Sequence, residues 1–486
     1  MAWDSAFESA LAARSIAIVG AGRPDPAKAA RWSGGTVFIR ALQQAGYEGV
    51  IYPINPSADE ILGLKCYPNL RSLPGPVDLV IVAVPAPFAP QVLEECGATG
   101  MRNVHLFTAG FEETGEEEGR RLGEQVRQII RKHGLRVVGP NGMGLACIPR
   151  AHMAVWGDAD LRPGDASFVS QSGGHANGFA HFAPTIGVCI SKVFSYGNAY
   201  GFNECDFLEY LARDPDTKTV GFYLEGVRDG RRFLRLVREV NPVKPVVVFK
   251  GGLTDAGAQM AASHTGSLAG QRRIWDAFFR QTGAIQVEST EEAAEVMACL
   301  LRLPHPRGRR VVVVGGGGGN NVAAADILVG VGLEVPRVSP ETHAFLRSYT
   351  SPAGSILRNP LDMGGVFQNM DTLEKTLKAV VADPVFDMVV FAMNLGWFRD
   401  LPQNTGDLVA ETLARLIASN QVGKPLVAVL VDNGRLNEVE PQRQRLRAFF
   451  ADKQIPVFSS LDRAARSLAR YVGYYEHQRS LQTADS

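Results

Sequence analysis

Three short stretches of the sequence carry groups suited to moving a charged fragment. His264 stands in Ala261-Ala-Ser-His-Thr-Gly266, where small neighbours leave an imidazole unshielded. A neutral imidazole, with an unperturbed pKa near about 6.5, can take a phosphoryl group and pass it on, splitting one hard exchange into two easier transfers. Such a ring has to be oriented, and its positive charge stabilised, through its second nitrogen. Glu225, in Phe222-Tyr-Leu-Glu-Gly226, offers a carboxylate at the end of an apolar run for that purpose. Ser170-Gln-Ser-Gly-Gly174 precedes an apolar-periodic stretch at 179–182 and reads as a helix N-terminus. There Ser172, Gly173 and Gly174 can present N–H groups to a phosphoryl oxygen. Each stretch also has a plainer reading: a solvated surface histidine, a turn-capping carboxylate and a capped helix start. Ser170 occupies the position where the G-x-S-x-G elbow of a serine hydrolase needs glycine, so hydrolase chemistry has no support.

A fourth stretch, Val19-Gly20-Ala21-Gly22 followed by Arg23 and Lys28, ends a β-rich run with backbone N–H groups and two cations, a setting for an anionic nucleotide. No third glycine follows at the dinucleotide spacing. The next β-rich run ends in Tyr52-Pro-Ile-Asn55-Pro56, without the acidic residue that holds a ribose hydroxyl. A nicotinamide cofactor is therefore disfavoured, and an NADP-dependent oxidoreductase stays as an alternative.

Short apolar runs alternating with amphipathic stretches must position these loops. They fall at 15–20, 49–53, 77–84, 103–107 and 135–138, again at 166–170, 188–194, 219–224 and 246–250, and again at 311–314, 388–393 and 426–431. Strands alternating with helical patterns predict βαβ units and parallel sheets. Leu303-Pro-His-Pro-Arg-Gly-Arg-Arg310 breaks the pattern as a linker does, and the polar stretch 478–486 reads as a frayed tail. The expectation is an α/β chain of three doubly wound domains over 1–146, 147–303 and 304–486.

The chain has 486 residues, with 50 Lys+Arg against 50 Asp+Glu and formal net charge zero. It has no electrostatic surplus for a nucleic acid backbone or an anionic membrane surface. Its six cysteines lie far apart with no C-x-x-C pair, against both a disulfide scaffold and a zinc module. The first fifteen residues lack a signal-peptide pattern, and no run approaches a membrane span. A reducing, cytoplasmic location is expected, with no metal site on this chain.

Several motifs, in order, resemble one family. Val84-Pro-Ala-Pro-Phe88, Phe107-Thr-Ala-Gly-Phe-Glu-Glu-Thr-Gly115 and Val138-Gly-Pro-Asn141 look like the CoA-binding domain of the succinyl-CoA synthetase α chain, and still more like the ADP-forming acetate–CoA ligases. Val169-Ser-Gln-Ser-Gly-Gly174, Ser195-Tyr-Gly-Asn198, Tyr223-Leu-Glu-Gly226, Lys250-Gly-Gly252 and Ser263-His-Thr-Gly-Ser-Leu-Ala-Gly270 extend the match. Gly-rich 315–319 and Asn359-Pro-Leu-Asp362 resemble that family's further ligase domain.

The resemblance implies a Rossmann-like CoA-binding domain and two flavodoxin-like ligase domains. It makes His264 the phosphohistidine, Glu225 its orienting glutamate, and Ser172, Gly173 and Gly174 the phosphate cradle. CoA contacts carry over onto Gly20, Ala21 and Gly22, Asn55 and Pro56, and Val84, Pro85 and Ala86, while Asn141 falls where the CoA thiol meets the carboxylate substrate. Gly142 stands where the family usually has Cys or Ser, and Ala199-Tyr-Gly-Phe202 replaces an acidic residue. A roomier pocket walled by Tyr200 and Phe202 puts acetate in question and admits a larger or aromatic acid. Three domains use up the length, and Gly315-Gly-Gly-Gly-Gly-Asn-Asn321 lacks the lysine of a P-loop. ATP/ADP and Mg2+ are accordingly expected on a separate ATP-grasp β subunit, in a hetero-oligomer that activates a small carboxylic acid. A non-catalytic, CoA-responsive regulatory subunit is the remaining alternative.

Overall fold

The computed structural model describes residues 8, 10–22, 34–148, 162–257, 259–260, 272–315, 317–351, 355–362, 369–398, 401–402, 404–419, 423–432, 434 and 436–484. Two units are distinguished, Met1–His181 with Cys189–Ala293, and Phe182–Val188 with Ala294–Ser486.

The first unit holds two sheets. β1 (Ser15–Val19), β2 (Val50–Ile54), the hairpin β3 (Glu60–Ile61) and β4 (Leu64–Lys65), β5 (Leu79–Val82), β6 (Asn103–Leu106) and β7 (Arg136–Val138) come first. Apart from the hairpin they form a parallel sheet in the order β2-β1-β5-β6-β7. Runs such as Leu79-Val-Ile-Val82 are buried throughout, as strands covered on both faces must be. Tyr67 adds a parallel bridge outside β2, and counting it gives the 3-2-1-4-5-6 order of a Rossmann sheet. The winding reverses between β1 and β5, which opens a crevice at their carboxyl ends.

The second sheet takes β8 (Gly144–Cys147), β9 (Pro163–Ser170), β10 (Ile190–Ser195), β11 (Thr219–Leu224), β12 (Val246–Lys250) and β13 (Ile285–Val287). The order is β13-β12-β11-β9-β10-β8, parallel except for β8. Without β8 it is the flavodoxin-like order 2-1-3-4-5, reversing between β9 and β11. β8, only four residues after a glycine loop, gave no period to read in the sequence, and it pairs with β10 in the second sheet. The two sheets share one apolar cluster in which Ile18, Phe38 and Ile81 join Val169, Phe194 and Tyr196.

In the second unit β14 (Val311–Gly315), β15 (Met388–Asn394), β16 (Leu426–Val431) and β17 (Val457–Phe458) lie parallel in that order. Glu334 and Leu361 bridge the outer edge of β14 as a residual second strand, so this sheet is flavodoxin-like too. The helix Leu461–Ala484 runs through most of the stretch that its polar composition marked as frayed. Tyr471 donates to the Pro304 carbonyl and Arg479 to that of Pro306, which ties the helix down. Among the described residues no helix is long and apolar enough to cross a membrane. All six cysteines are free.

Charge is buried at the amino end of the second sheet, away from the loops that matter for chemistry. Lys192 Nζ donates to Asp214 Oδ2 at 2.7 Å, and the two side chains are 2% and 5% exposed. Removing one partner of such a pair strands the other in a low-dielectric interior. Lys192→Met is expected to cost about 3–5 kcal/mol, read as a lower midpoint in denaturant unfolding.

Candidate functional site

Three loops meet at the carboxyl edge of the first sheet. Gly20, Ala21 and Gly22 leave β1, Asn55 and Pro56 leave β2, and Val84, Pro85 and Ala86 leave β5. Gly20 has φ +91°, and a Cβ there would run into the Ala83 carbonyl, so only glycine lets the two loops approach. Asn55 Nδ2 donates to the Ala21 carbonyl at 2.6 Å, and its Oδ1 accepts the Ser57 N–H. Its amide thus braces the glycine loop and leaves ligand contact to the backbone. Thr36 closes the other side, donating to the Gly22 carbonyl at 2.6 Å and accepting its N–H. Nothing described lies within 4 Å of a Cβ built at Gly22. The β5 loop is held by Thr108, whose Oγ1 donates to the Val84 carbonyl at 2.8 Å.

Thr108 also links this edge to the next sheet, because its carbonyl accepts the Asn141 N–H at 3.0 Å. Asn141 has φ +58°, a left-handed conformation that asparagine tolerates better than most residues. The loop it leads is gripped from both sides. His105, on β6, donates Nε2–H to the Gly142 carbonyl at 2.8 Å, and Ser195 Oγ, ending β10, accepts the Met143 N–H at 3.0 Å. Asn198 N–H reaches the Pro140 carbonyl, and Asn198 Nδ2 donates to Glu113 Oε2 at 2.6 Å. Glu113 Oε1 in turn accepts the N–H groups of Gly110 and Phe111.

These contacts correct the expected acyl pocket. A Cβ at Gly142 would lie 2.6 Å from the Ser195 carbonyl oxygen, so this glycine allows a close backbone approach and makes no room for substrate. Phe202 is wholly buried and packs near Phe207. Tyr200 donates to Glu112 Oε2 at 2.8 Å with the Arg127 guanidinium 4.3 Å above its ring, and Arg127 pairs with the same carboxylate. Both side chains are engaged within the first unit, where the loop after β10 joins the two sheets.

In the second sheet the proposed phosphate loop follows β9 and Glu225 follows β11, so they flank the reversal of the winding. Ser172 Oγ accepts the His175 N–H at 3.4 Å, a capping contact that starts the helix Gly173–Thr185. Gly173 and Gly174 open that helix, where N–H groups have no partner inside it. Gly173 abuts the Met143 side chain, which brings the Asn141 loop beside the phosphate loop.

Gln171 supplies what the sequence reading missed. Its Oε1 accepts the backbone N–H groups of both Glu225 and Gly226, the latter at 3.0 Å. Tyr223 donates to Glu225 Oε1 at 3.1 Å, and His175 lies against the Tyr223 ring, centroids 3.9 Å apart, with Nδ1 2.7 Å from Thr290 Oγ1. Lys250 Nζ donates to the Glu225 carbonyl, and burial pulls this ammonium down to about 8. Glu225 is 5% exposed, so the carboxylate sits in a walled setting that strengthens its interaction with any neighbouring imidazole. His264 lies outside the described residues. Gln171 was legible only as part of a motif, because its role depends on β9 and β11 being neighbours.

The matching family models follow the chain in order. A CoA binding domain covers residues 14–147, a succinyl-CoA ligase like flavodoxin domain 163–300, and a Ligase-CoA domain 311–470. The chain is 34% identical over 418 residues to the alpha subunit of ADP-forming acetate–CoA ligase II of Pyrococcus furiosus, covering 86% of this chain and 88% of that one. It is 33% identical over 473 residues to the alpha subunit of ligase I of the same organism, covering 95% and 96%. Among solved structures it is similar to the dinucleotide-forming acetyl-coenzyme A synthetase 1 of Ca. Korarchaeum cryptofilum in complex with phosphate and ADP, with TM-score 0.82, 28% identity and 99% of each chain covered. Neither the oxidoreductase nor the regulatory alternative gains support from these matches.

His105 gives this region a pH signature. Burial pushes its imidazole down to about 4, against the opposing pull of the Gly142 carbonyl. The unfolded ring titrates near about 6.5, so between those values the unfolded state binds the extra proton. Its contribution to stability is complete above about pH 6.5 and is lost as pH falls toward 4, a loss of about 3 kcal/mol. Denaturant midpoints measured from pH 7 to 4 should show this slope in the wild type and a shallower one in His105→Gln.

Proposed function

The chain belongs to the family of ADP-forming acetate–CoA ligase alpha subunits, and from that we propose that it is the α subunit of an ADP-forming acyl-CoA ligase. Its partner in this reading is an ATP-grasp β subunit that holds ATP and Mg2+, and the pair works in the cytoplasm. The observation that carries the reading is the pairing of two carboxyl-edge crevices in one unit, one edged by the backbone of three loops and one combining a helix N-terminus with Glu225.

In the synthetic direction His264 takes the terminal phosphoryl group of ATP on the β side, and ADP leaves. Glu225 orients the ring through its second nitrogen and balances its positive charge. Ser172, Gly173 and Gly174 hold the phosphoryl oxygens while a substrate carboxylate oxygen attacks phosphorus and the N–P bond breaks, giving an acyl phosphate and free His264. The CoA thiol, aligned near Asn141, then forms a bond to the acyl carbon as the C–O bond to phosphate breaks and the departing phosphate takes the thiol proton, giving acyl-CoA and phosphate. Gly20–Gly22, Asn55, Pro56 and Val84–Ala86 anchor the nucleotide end of CoA at the first crevice. Every step is reversible.

The test combines this chain with an ATP-grasp chain and follows ADP release across a series of carboxylic acids. Release beyond one ADP per chain should require the acid, CoA and both chains. Glu225→Gln should lower kcat by about 10²- to 10⁴-fold and leave the KM for CoA within about twofold, since CoA is held by the other sheet. ADP release indifferent to acid and CoA would contradict the reading.

A further inference from the structure

The proposed cradle has an imidazole beside it that the proposed reaction does not use. His175 is the third residue of the helix Gly173–Thr185. Side chains on a helix lean toward its N-terminus, so this ring covers the turn that carries Gly173 and Gly174. Three neighbours fix it. It stacks on Tyr223 with centroids 3.9 Å apart, the Phe249 ring stands perpendicular to it at 5.2 Å, and Nδ1 is 2.7 Å from Thr290 Oγ1. Thr290 opens the helix Thr290–Arg302. Nε2 has no partner among the described residues. A ring held on three sides, with one nitrogen engaged, offers the other to a ligand.

The charges that act on this ring are carboxylates. Glu225 accepts the Tyr223 hydroxyl, and Glu291 stands in the first turn of the helix that carries Thr290. Lys250, next to Phe249, turns its Nζ to the Glu225 and Gly251 carbonyls. Both carboxylates favour an imidazolium, yet burial outweighs them and holds the ring below the ordinary histidine range. At pH 7 the imidazole is therefore mostly neutral before a phosphoryl group arrives. A lysine or arginine in its place would pair with Glu225, the carboxylate proposed to orient His264. A neutral ring leaves Glu225 to that task. A phosphoryl dianion brought to the cradle adds negative charge, which tips the balance toward imidazolium. Thr290 suits both states, since its hydroxyl donates to a bare Nδ1 and accepts from a protonated one.

We propose that His175 is a further phosphate ligand, its Nε2–H donating to an oxygen of the phosphoryl group held by Ser172, Gly173 and Gly174. The inference rests on the proposed cradle and adds to it a residue that changes charge. A proton from solvent enters the ring as the phosphoryl group arrives and returns to solvent when phosphate departs. While the acyl phosphate is cleaved, the imidazolium balances the negative charge growing on the leaving phosphate.

The experiment uses the full chain with inorganic phosphate as the probe. Isotope-labelled imidazole resonances are followed by NMR across a pH titration, with the His175 signal identified by its loss in His175→Gln, and phosphate affinity is measured by calorimetry. Without phosphate the His175 pKa should lie below about 6.5, and with phosphate it should rise by about 1–3 units. His175→Gln should weaken phosphate binding by about 10-fold or more near pH 6 and by less near pH 8.5, because the lost charge matters most where the ring is protonated. The titration of phosphate itself is common to both chains and cancels in that ratio. If His175→Gln folds poorly, Thr290→Val, which removes the acceptor for a protonated Nδ1, should shrink the phosphate-linked rise. Phosphate bound by the wild type with the His175 pKa unmoved, or with affinity unchanged in His175→Gln, overturns the proposal and leaves the cradle standing. No phosphate bound by the wild type overturns both.

Discussion

The geometry of the second sheet's crevice hangs on one amide. Gln171 leaves β9, its side-chain oxygen accepts the backbone N–H groups of Glu225 and Gly226 beyond β11, and the two strands are neighbours where the winding reverses. At such a point the connecting helices depart to opposite faces, which opens a crevice and exposes backbone groups that nothing else satisfies. Filling that gap with one acceptor fixes Glu225 relative to the glycines that start the neighbouring helix. Tyr223, His175 and Lys250 then hold the carboxylate side of the crevice in place.

The first sheet presents its loops by the same rule, and the contacts between the two sheets align them. Thr108, His105, Ser195 and Asn198 all contact the loop that carries Asn141, three from side chains and Thr108 from its carbonyl. Glu112 and Glu113 extend the seam through Tyr200, Arg127 and Asn198. Asn141 therefore lies where groups from both sheets converge, which suits the proposed role beside the thiol and the acyl group. Buried polar networks of this kind are costly when incomplete, which ties the position of Asn141 to every member.

The strands that form the sheets could be read because buried parallel strands are continuous apolar runs, Leu79-Val-Ile-Val82 and Leu426-Val-Ala-Val-Leu-Val431 among them. The loops could be read because motifs of small residues recur in order along the chain. Gly142, Tyr200 and Phe202 were misjudged for one reason: sequence shows which side chains are large or absent, and only the fold shows which way the loop faces. His105 and Gln171 escaped notice because each acts on a residue dozens of positions away. β8 and β17 were too short to carry a period.

In the proposed reaction phosphoryl transfer passes through His264, oriented by a carboxylate whose backbone Gln171 fixes. The most direct measurement incubates the chain with its ATP-grasp partner and γ-labelled ATP, then follows acid-labile, base-stable phosphate on the protein and maps it by mass spectrometry. Label is expected on His264 in the wild type, discharged by the carboxylic acid as an acyl phosphate, and none in His264→Ala. Acid-labile phosphate that still forms on the His264→Ala chain would contradict it.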